Sequence, residues 1–452
     1  MKIIINGCGK IGKTILSSLV AEGHDVVAID NNPQVLSEIT NIYDVMGVCG
    51  NGTDSDVLLE AGVETADLLV SMTGSDELNM LSCYLAKKLG AVNSIARIRN
   101  PEYNDNSLAF VREQMDISLT INPELLTSLE LFNLLKLPSV AKVETFSVRN
   151  FELVEIKLKA DSSLDGMKIM DMRNRFKSKF LISVVGREEE AYIPSGNFTL
   201  KSGDRICISA TSNEIIHLMK ELGIQQKSAK KIMVFGGGKL AYYLAKRLSD
   251  ANMSVTIIEK NSAVCEGLCE ALPKCTVVCA DGTDQEVLLE EGLLSVDAFV
   301  SLTGMDEQNI LMSAYAQSKG VPKVITKINR EALIPLAENW GLDAIISPKI
   351  SVSNVLVRYA RALENSQGSS VETLYKLMDD KVEVLEFRVK DDFEKFDVPF
   401  KELALKPNTL VAGIIRDRKT IIPTGDDMFK PGDKVIILAA NQRINKLSDI
   451  LG

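Results

Sequence analysis

At 452 residues the chain is too long for one ordinary core and suggests about three or four domains. Apolar residues at 46% and charged residues at 25% are ordinary globular proportions, which exclude a disordered or fibrous chain. A formal charge of −10 without a dense basic run excludes the electrostatic footprint of a nucleic-acid binder.

The N-terminal stretch MKIIINGCGKIGKT runs strand-like residues straight into a glycine loop, with no signal-peptide core, so the chain is expected to stay in the cytoplasm. The longest apolar runs, ADLLVSM from Ala66, VDAFVSL from Val296 and KVIILAA from Lys434, fall short of the roughly 18 residues needed to span a bilayer, and no membrane insertion is expected. KIIIN, HDVVAID, ADLLVSM and NSIARI alternate with helical-period stretches such as GKTILSSLVAEG and DELNMLSCYLAKKLG, which predicts a doubly wound parallel-sheet domain over 1–122. NPELLTSLELFNLLKLP from Asn122, with Pro123 in its first turn, predicts a connecting helix over 123–138. FELVEIKLKAD from Phe151, then LISVVGR and DRICISA, are short strands parted by turn signals and followed by the helical NEIIHLMKELG, a small α+β module over 139–225.

After a polar spacer, QQKSAK from Gln225, the chain repeats itself. KIIINGCGKIGKTILSSLVAEGHDVVAID from Lys2 aligns with KIMVFGGGKLAYYLAKRLSDANMSVTIIE from Lys231. GNGTDSDVLLEAG from Gly50 aligns with ADGTDQEVLLEEG from Ala280, SMTGSDELN from Ser71 with SLTGMDEQN from Ser301, and IPSGNFTLKSGDRICI from Ile193 with IPTGDDMFKPGDKVII from Ile422. The repeat predicts a second parallel-sheet domain over 231–347, a connecting helix over 348–366 and a second module over 370–452. The fold class is therefore α/β, two tandem Rossmann-like doubly wound domains each followed by a small α+β module.

Gly7, Gly9 and Gly12 form G-x-G-x-x-G after the strand KIIIN and at the opening of a helix, a loop that lets backbone amides approach a pyrophosphate. Asp30, at the end of DVVAID, can accept hydrogen bonds from both ribose hydroxyls. The same letters, Gly7, Gly12, Lys13 and Thr14, also read as a P-loop, which would imply magnesium and phosphoryl transfer. The second copy argues against that reading: it keeps Gly236, Gly238 and an acidic strand end, Glu259, but has Tyr242 and Tyr243 in place of Lys13 and Thr14. Ala241 stands there for the third glycine. Purely structural glycine turns remain the alternative for both loops. A 2′-phosphate beside Asp30 or Glu259 would meet like charge, which favours NAD(H) or adenine nucleotides over NADP.

The repeated phrase follows a third strand whose carboxyl end lies at the ligand-binding edge of such sheets. Asn51 or Asp281 offers a polar group toward adenine or ribose, Thr53 or Thr283 a hydroxyl, and Asp54 and Asp284 are expected to cap helices. Thr73 and Gly74, with Thr303 in the second copy, end the fourth strand. Arg97 and Lys327 end the fifth and either meet phosphates or are solvated surface charges.

The alternative of an NAD-dependent oxidoreductase needs a positioned acid or base, and such groups are scarce. His24 and His217 are unrepeated, and the Tyr-x3-Lys pairs Tyr84/Lys88 and Tyr315/Lys319 lie one residue out of register in the duplication, as helical surface residues would. No catalytic residue is assigned. Cys265, Cys269, Cys275 and Cys279 lack paired C-x2-C spacing and are better read as core filling than as a metal site.

GCGKIG, AID, GNGTD, SMTGSDELN and ARIRNPEY, with GGGKLA, IIE, ADGTD and SLTGMDEQN, closely resemble the TrkA family, cytoplasmic regulatory subunits of Trk potassium-uptake systems. The resemblance covers essentially the full chain and implies two RCK-type (regulator of potassium conductance) nucleotide-binding domains, each followed by a TrkA-C module. It implies a homo-oligomeric ring, peripheral on the inner face of the cell membrane, that changes shape with NAD(H) or ATP/ADP beneath a membrane-embedded Trk-type potassium transporter subunit. On this resemblance the first site comprises Gly7, Cys8, Gly9, Lys10, Ile11, Gly12, Asp30, Asn51, Gly52, Thr53, Thr73, Gly74 and Arg97. The second comprises Gly236, Gly237, Gly238, Lys239, Leu240, Glu259, Asp281, Thr303 and Lys327.

Overall fold

The apolar runs of the first hundred residues become a parallel sheet because both faces of its central strands are buried. KIIIN forms β1 (Lys2–Asn6), in which Ile3, Ile4 and Ile5 are wholly buried. It is followed by β2 (Asp25–Asp30), β3 (Met46–Cys49), β4 (Leu68–Ser71), β5 (Asn93–Arg97) and β6 (Leu119–Ile121). The six strands pair in parallel in the order β3-β2-β1-β4-β5-β6, the doubly wound order whose reversal between β1 and β4 opens a crevice at the strand carboxyl ends. Between them run α1 (Lys10–Ala21), α2 (Pro33–Ile42), α3 (Ser55–Glu60), α4 (Asp76–Leu89), α5 (Asp105–Gln114) and then α6 (Pro123–Lys136). α1 buries Ile15, Leu16 and Leu19 on one face.

The structure, a computed structural model, describes all residues except 102, 104, 137–141, 146–150, 159–161, 189, 224–228, 343, 367–370, 379–380, 392, 418, 443 and 445. The boundaries expected at 138/139, 225 and 370 lie outside the described residues. Two compact units are formed, the first from Met1–Leu129, Lys239–Leu244 and Ile346–Ala360, the second from Glu130–Gly238, Ala245–Ile345 and Arg361–Gly452.

In the second unit, β7 (Lys142–Thr145), β8 (Glu152–Lys157), β9 (Phe180–Arg187), β10 (Glu190–Tyr192) and β11 (Arg205–Ala210) make an antiparallel sheet in the order β10-β9-β11-β8-β7. It carries α7 (Ile169–Arg175) and α8 (Ser212–Glu221). The repeat then builds β12 (Lys231–Phe235), β13 (Ser254–Glu259), β14 (Thr276–Cys279), β15 (Ala298–Ser301), β16 (Lys323–Lys327) and β17 (Ile345–Ile346), in the order β14-β13-β12-β15-β16-β17. Its helices are α9 (Lys239–Asp250), α10 (Ser262–Ala271), α11 (Gln285–Glu290), α12 (Asp306–Ser318), α13 (Ile334–Asn339) and α14 (Pro348–Ser366). A second five-stranded antiparallel sheet closes the chain: β18 (Val371–Leu377), β19 (Val382–Arg388), β20 (Thr409–Arg416), β21 (Lys419–Ile421) and β22 (Lys434–Ala440), in the order β18-β19-β22-β20-β21. Two Rossmann-like parallel sheets, each followed by a small antiparallel module, are thus present. Among the described residues no helix is long and apolar enough to cross a membrane.

Each connecting helix serves the other half's sheet domain. Within the first unit, the Ser353 hydroxyl of α14 donates to Ser18 of α1 at 2.7 Å. Tyr243, in the first turns of α9, donates its hydroxyl to the Arg99 carbonyl at 3.1 Å and accepts from the Asn122 side chain at 3.0 Å. Within the second unit, the Lys323 ammonium donates to the Leu134 carbonyl near the end of α6, and the Arg247 guanidinium lies 5.8 Å from the Phe132 ring. The two antiparallel modules share one core there: Phe151, Leu153, Val184 and Cys207 of the first pack with Leu377, Val382, Val384, Ala412, Ile436 and Leu438 of the second. Burying a side chain of Phe151's size contributes about 2 to 3 kcal/mol.

Candidate functional site

The strand carboxyl ends carry every residue expected at the first site except those opening α1. Gly7 leaves β1 with φ +92°, and its N–H donates to the Ile29 carbonyl at 2.8 Å. A Cβ on Gly7 would lie 2.8 Å from the Thr73 amide nitrogen, and one on Gly12 would lie 2.1 Å from the Gly7 carbonyl, so the loop closes only because both lack a side chain. Gly9 is different. An added Cβ there meets nothing within 4 Å, and the same holds for Gly74. The loop therefore packs on the end of β4 through Gly7 and leaves its backbone uncovered at Gly9, while Cys8 turns its side chain into the core.

Asp30 accepts from the Cys8 amide at 2.7 Å and from the Asn32 amide at 2.9 Å, so the expected ribose carboxylate also holds the glycine loop. The second half repeats this bond for bond. Glu259 accepts from the Gly237 amide at 2.7 Å and the Asn261 amide at 2.8 Å, and Gly236 has φ +100°. Gly238 and Gly304 have open space where a Cβ would stand, whereas Gly237 packs on Leu268 and Glu259. Lys239 and Leu240 open α9, and Leu240 is buried. Ala241 replaces the third glycine and is wholly buried.

The phrase written twice is a turn with a cap. Asn51 Oδ1 accepts from the Thr53 amide at 3.1 Å and its hydroxyl at 2.9 Å; Asp281 does the same with Thr283 at 3.0 and 2.7 Å. These bonds hold the Asp281 carboxyl below its ordinary value. Asp54 and Asp284 then cap α3 and α11, accepting from Asp56 and Glu286 at 2.9 and 3.0 Å. Gly52 faces inward, where a Cβ would sit 2.2 Å from Asn6.

Two residues of each phrase SMTGSDELN and SLTGMDEQN do work that the sequence reading left unassigned. Asn79 Oδ1 accepts from the Thr73 amide at 2.8 Å and hydroxyl at 2.7 Å, while its Nδ2 donates to the Arg97 carbonyl at 2.9 Å, tying the ends of β4 and β5 together. Asn309 repeats the arrangement on Thr303 and the Lys327 carbonyl at 2.9, 2.7 and 3.0 Å. Asp76 and Asp306 each accept from two successive amides after the fifth strand, Arg99 and Asn100 in one half, Asn329 and Arg330 in the other. The sequence signal was only their recurrence in both copies; that they lie on buried helix faces is seen in the structure. Beneath the first site, Asn6 donates to Ser71 and Ser82 at 3.0 and 2.8 Å; in the second half Phe235 and Met312 stand in those places and join an apolar core.

Arg97 reaches the Thr73 carbonyl at 3.4 Å, and its buried Nε has no hydrogen-bond partner among the described residues. Burial, then the neighbouring Arg99 charge, holds its guanidinium below the ordinary value. A buried donor at a strand end, beside open glycines, fits an anionic ligand. Lys327 instead donates to the Leu302 carbonyl at 3.1 Å. Lys13 is paired with Glu38 at 2.5 Å on the protein surface. Lys88 lies 5.5 Å from the Tyr84 ring and Lys319 5.2 Å from Tyr315, so both Tyr-x3-Lys pairs are cation–π contacts along helices.

Residues 3–123 and 232–348 match the TrkA-N domain family, and residues 153–223 and 384–452 the TrkA-C domain family. The chain is 31% identical over 446 residues to the Trk system potassium uptake protein TrkA of Vibrio alginolyticus, covering 98% of this chain and 96% of that one. It is 31% identical over 451 residues to a Trk system potassium uptake protein TrkA homolog of Archaeoglobus fulgidus, covering 100% of each. Among solved structures it is similar to the GsuK RCK domain, with a TM-score of 0.62 at 17% identity over 97% of this chain and 92% of that chain. The GsuK channel bound to NAD gives a TM-score of 0.62 at 16% identity, over 97% of this chain and 76% of that chain. At such identities these two likenesses concern the fold.

Proposed function

The chain belongs to the TrkA family, and we propose from this that it is a nucleotide-sensing regulatory subunit, without catalytic turnover, that gates a membrane potassium transporter. It binds NAD(H), or ATP/ADP, at the two strand-edge sites, sits on the inner face of the cell membrane as a homo-oligomeric cytoplasmic ring, and acts on a Trk-type membrane-embedded subunit. The observation that carries the reading is the duplicated carboxylate: Asp30 and Glu259 each pin a glycine loop whose neighbouring backbone at Gly9 and Gly74, or Gly238 and Gly304, is open. A carboxylate has about four acceptor positions, so two internal bonds leave room for ribose hydroxyls. The loop amides and the start of α1 or α9 would take the diphosphate, and Arg97 its charge.

A ligand shifts such an assembly only by binding one shape better, by about 1–3 kcal/mol in typical allosteric sites. The strand-edge site is suited to that task, because Asn79 and Asp76 lock the ends of β4 and β5 to α4, so a ligand held there acts on three elements together. The test is calorimetric titration of NADH, NAD, ATP and ADP into wild type, Asp30→Ala and Glu259→Ala, with product analysis of each mixture. The expected result is binding without consumption, weakened tenfold or more at the substituted site. Undiminished affinity in both variants would remove both site assignments; nicotinamide reduction or magnesium-dependent phosphate release would replace the regulatory reading with an enzymatic one.

A further inference from the structure

The second parallel sheet holds a pair of thiols that the first does not. Cys279 ends β14 opposite Glu259 in the parallel register, and Cys265 lies in α10. The Glu259 carbonyl accepts both the Cys265 thiol, at 3.3 Å, and the amide of Ala280, the residue after Cys279, at 2.9 Å. Both cysteines therefore border the same residue, Glu259: Cys279 as its register partner and Cys265 through its carbonyl. Cys265 is buried and Cys279 exposed.

We propose that Cys265 and Cys279 are a redox-active pair that a hydroperoxide closes into a reversible disulfide, fastening α10 to the end of β14. The Cys279 thiolate attacks one peroxide oxygen; an S–O bond forms as the O–O bond breaks, giving the sulfenic acid and, after protonation, water or an alcohol. The Cys265 sulfur then displaces that hydroxyl, which leaves as water with the Cys265 proton, and the S–S bond forms. Two thiols are oxidised and one hydroperoxide is reduced. A disulfide needs Cβ atoms about 3.5–4.5 Å apart; adjacent strands lie about 4.8 Å apart, so a Cys265 sulfur 3.3 Å from the Glu259 carbonyl stands about one strand spacing from Cys279, and a small shift of α10 closes the bond. Burial, then the neighbouring Cys279 thiol, pushes the Cys265 thiol up to about 11, so exposed Cys279 is the attacking partner and buried Cys265 the resolving one.

The first half supplies an internal comparison, because exposed Cys49 aligns with Cys279 while Leu36 occupies the place of Cys265. The crosslink adjoins Glu259, so it would also stiffen the second loop. That consequence rests on the nucleotide reading; the crosslink itself does not.

The test treats the reduced full-length chain with a few equivalents of hydrogen peroxide, blocks free thiols, digests without reductant and maps peptides by mass spectrometry. A Cys265–Cys279 peptide is expected, lost in Cys279→Ser and Cys265→Ala, retained in Cys269→Ser and reversed by dithiothreitol, while Cys49 proceeds to sulfinic acid. Cys279 recovered as sulfinic acid, joined to Cys269 or joined to another chain would overturn the proposal. So would two alkylatable thiols at peroxide doses that exhaust Cys49. None of these outcomes depends on nucleotide, so they separate this proposal from the preceding one.

Discussion

Gly9 and Gly12 sit three residues apart in one motif and have opposite physical roles. Gly12 lets the helix approach its own loop, since a Cβ would overlap the Gly7 carbonyl. Gly9 has φ −64° and open space around it, so nothing inside the protein requires a glycine there. A methyl group at Gly9 should therefore cost the fold about 1 kcal/mol or less, as an alanine at a helix N-cap does. The same methyl would stand where a diphosphate approaches, and Gly9→Ala is expected to weaken nucleotide binding at the first site tenfold or more while thermal unfolding barely moves. Calorimetry beside a melting curve checks both halves of that statement; a Gly9→Ala chain that binds as tightly as wild type would mean that no ligand comes near the loop. The glycine loop and its acidic strand end were legible in the sequence because few residue types permit that geometry. Asn79 and Asp76 were not, since polar letters on a helical stretch read as solvent-facing until the neighbouring strand ends are known.

At the scale of elements, the alternation of apolar runs with helical periods gave away both parallel sheets, and the aspartates of the repeated phrase marked helices of only six residues. The destinations of α6 and α14 were not readable. Leucines at helical spacing say that a face is buried, and do not say against what. The end of α6 explains one unusual group. Lys323 opens β16 with its amine against the Leu134 carbonyl, one of the last of the helix and without an intrahelical partner. Burial pushes that amine from 10.5 down to about 8. Below pH 8 folded and unfolded chains both hold the proton and the folded state bears the whole desolvation cost. Between about 8 and 10.5 the unfolded chain keeps a proton that the folded chain has shed, so stability from this group rises with pH. Lys323→Met removes the effect. Its unfolding free energy relative to wild type should decline by about 2 kcal/mol between pH 7.5 and 10, as the wild type recovers what the variant never lost. Parallel pH profiles for the two proteins would show that Lys323 is better hydrated than its surroundings suggest.

For the whole molecule, duplication is the dominant fact, and the places where the copies differ carry the most information. Tyr243 stands where Thr14 stood and is bonded to Arg99 and Asn122. Phe235 and Met312 replace Asn6 and Ser82, so the second sheet's floor is apolar where the first is hydrogen-bonded. The shared core of the antiparallel modules is likewise unequal. Phe151 lies against Gly413, where an added Cβ would be 2.6 Å from a ring carbon. Gly413→Ala should destabilise the chain by about 1–3 kcal/mol through overpacking, with Phe151→Leu in the same chain restoring most of the loss. Denaturant midpoints of the four combinations measure the coupling, and additive losses would mean that ring and glycine are not packed as described.

That ring has an implication for the chain's history. At the matching place on the other side of the core, Val382 takes the position of Phe151 and Val184 that of Gly413. Two copies of the front half meeting through this surface would press phenylalanine on valine, and two copies of the rear half would leave a void beside glycine. An ancestor that paired as separate identical chains could reach the present arrangement by fusion, but substitutions made since then have closed the way back.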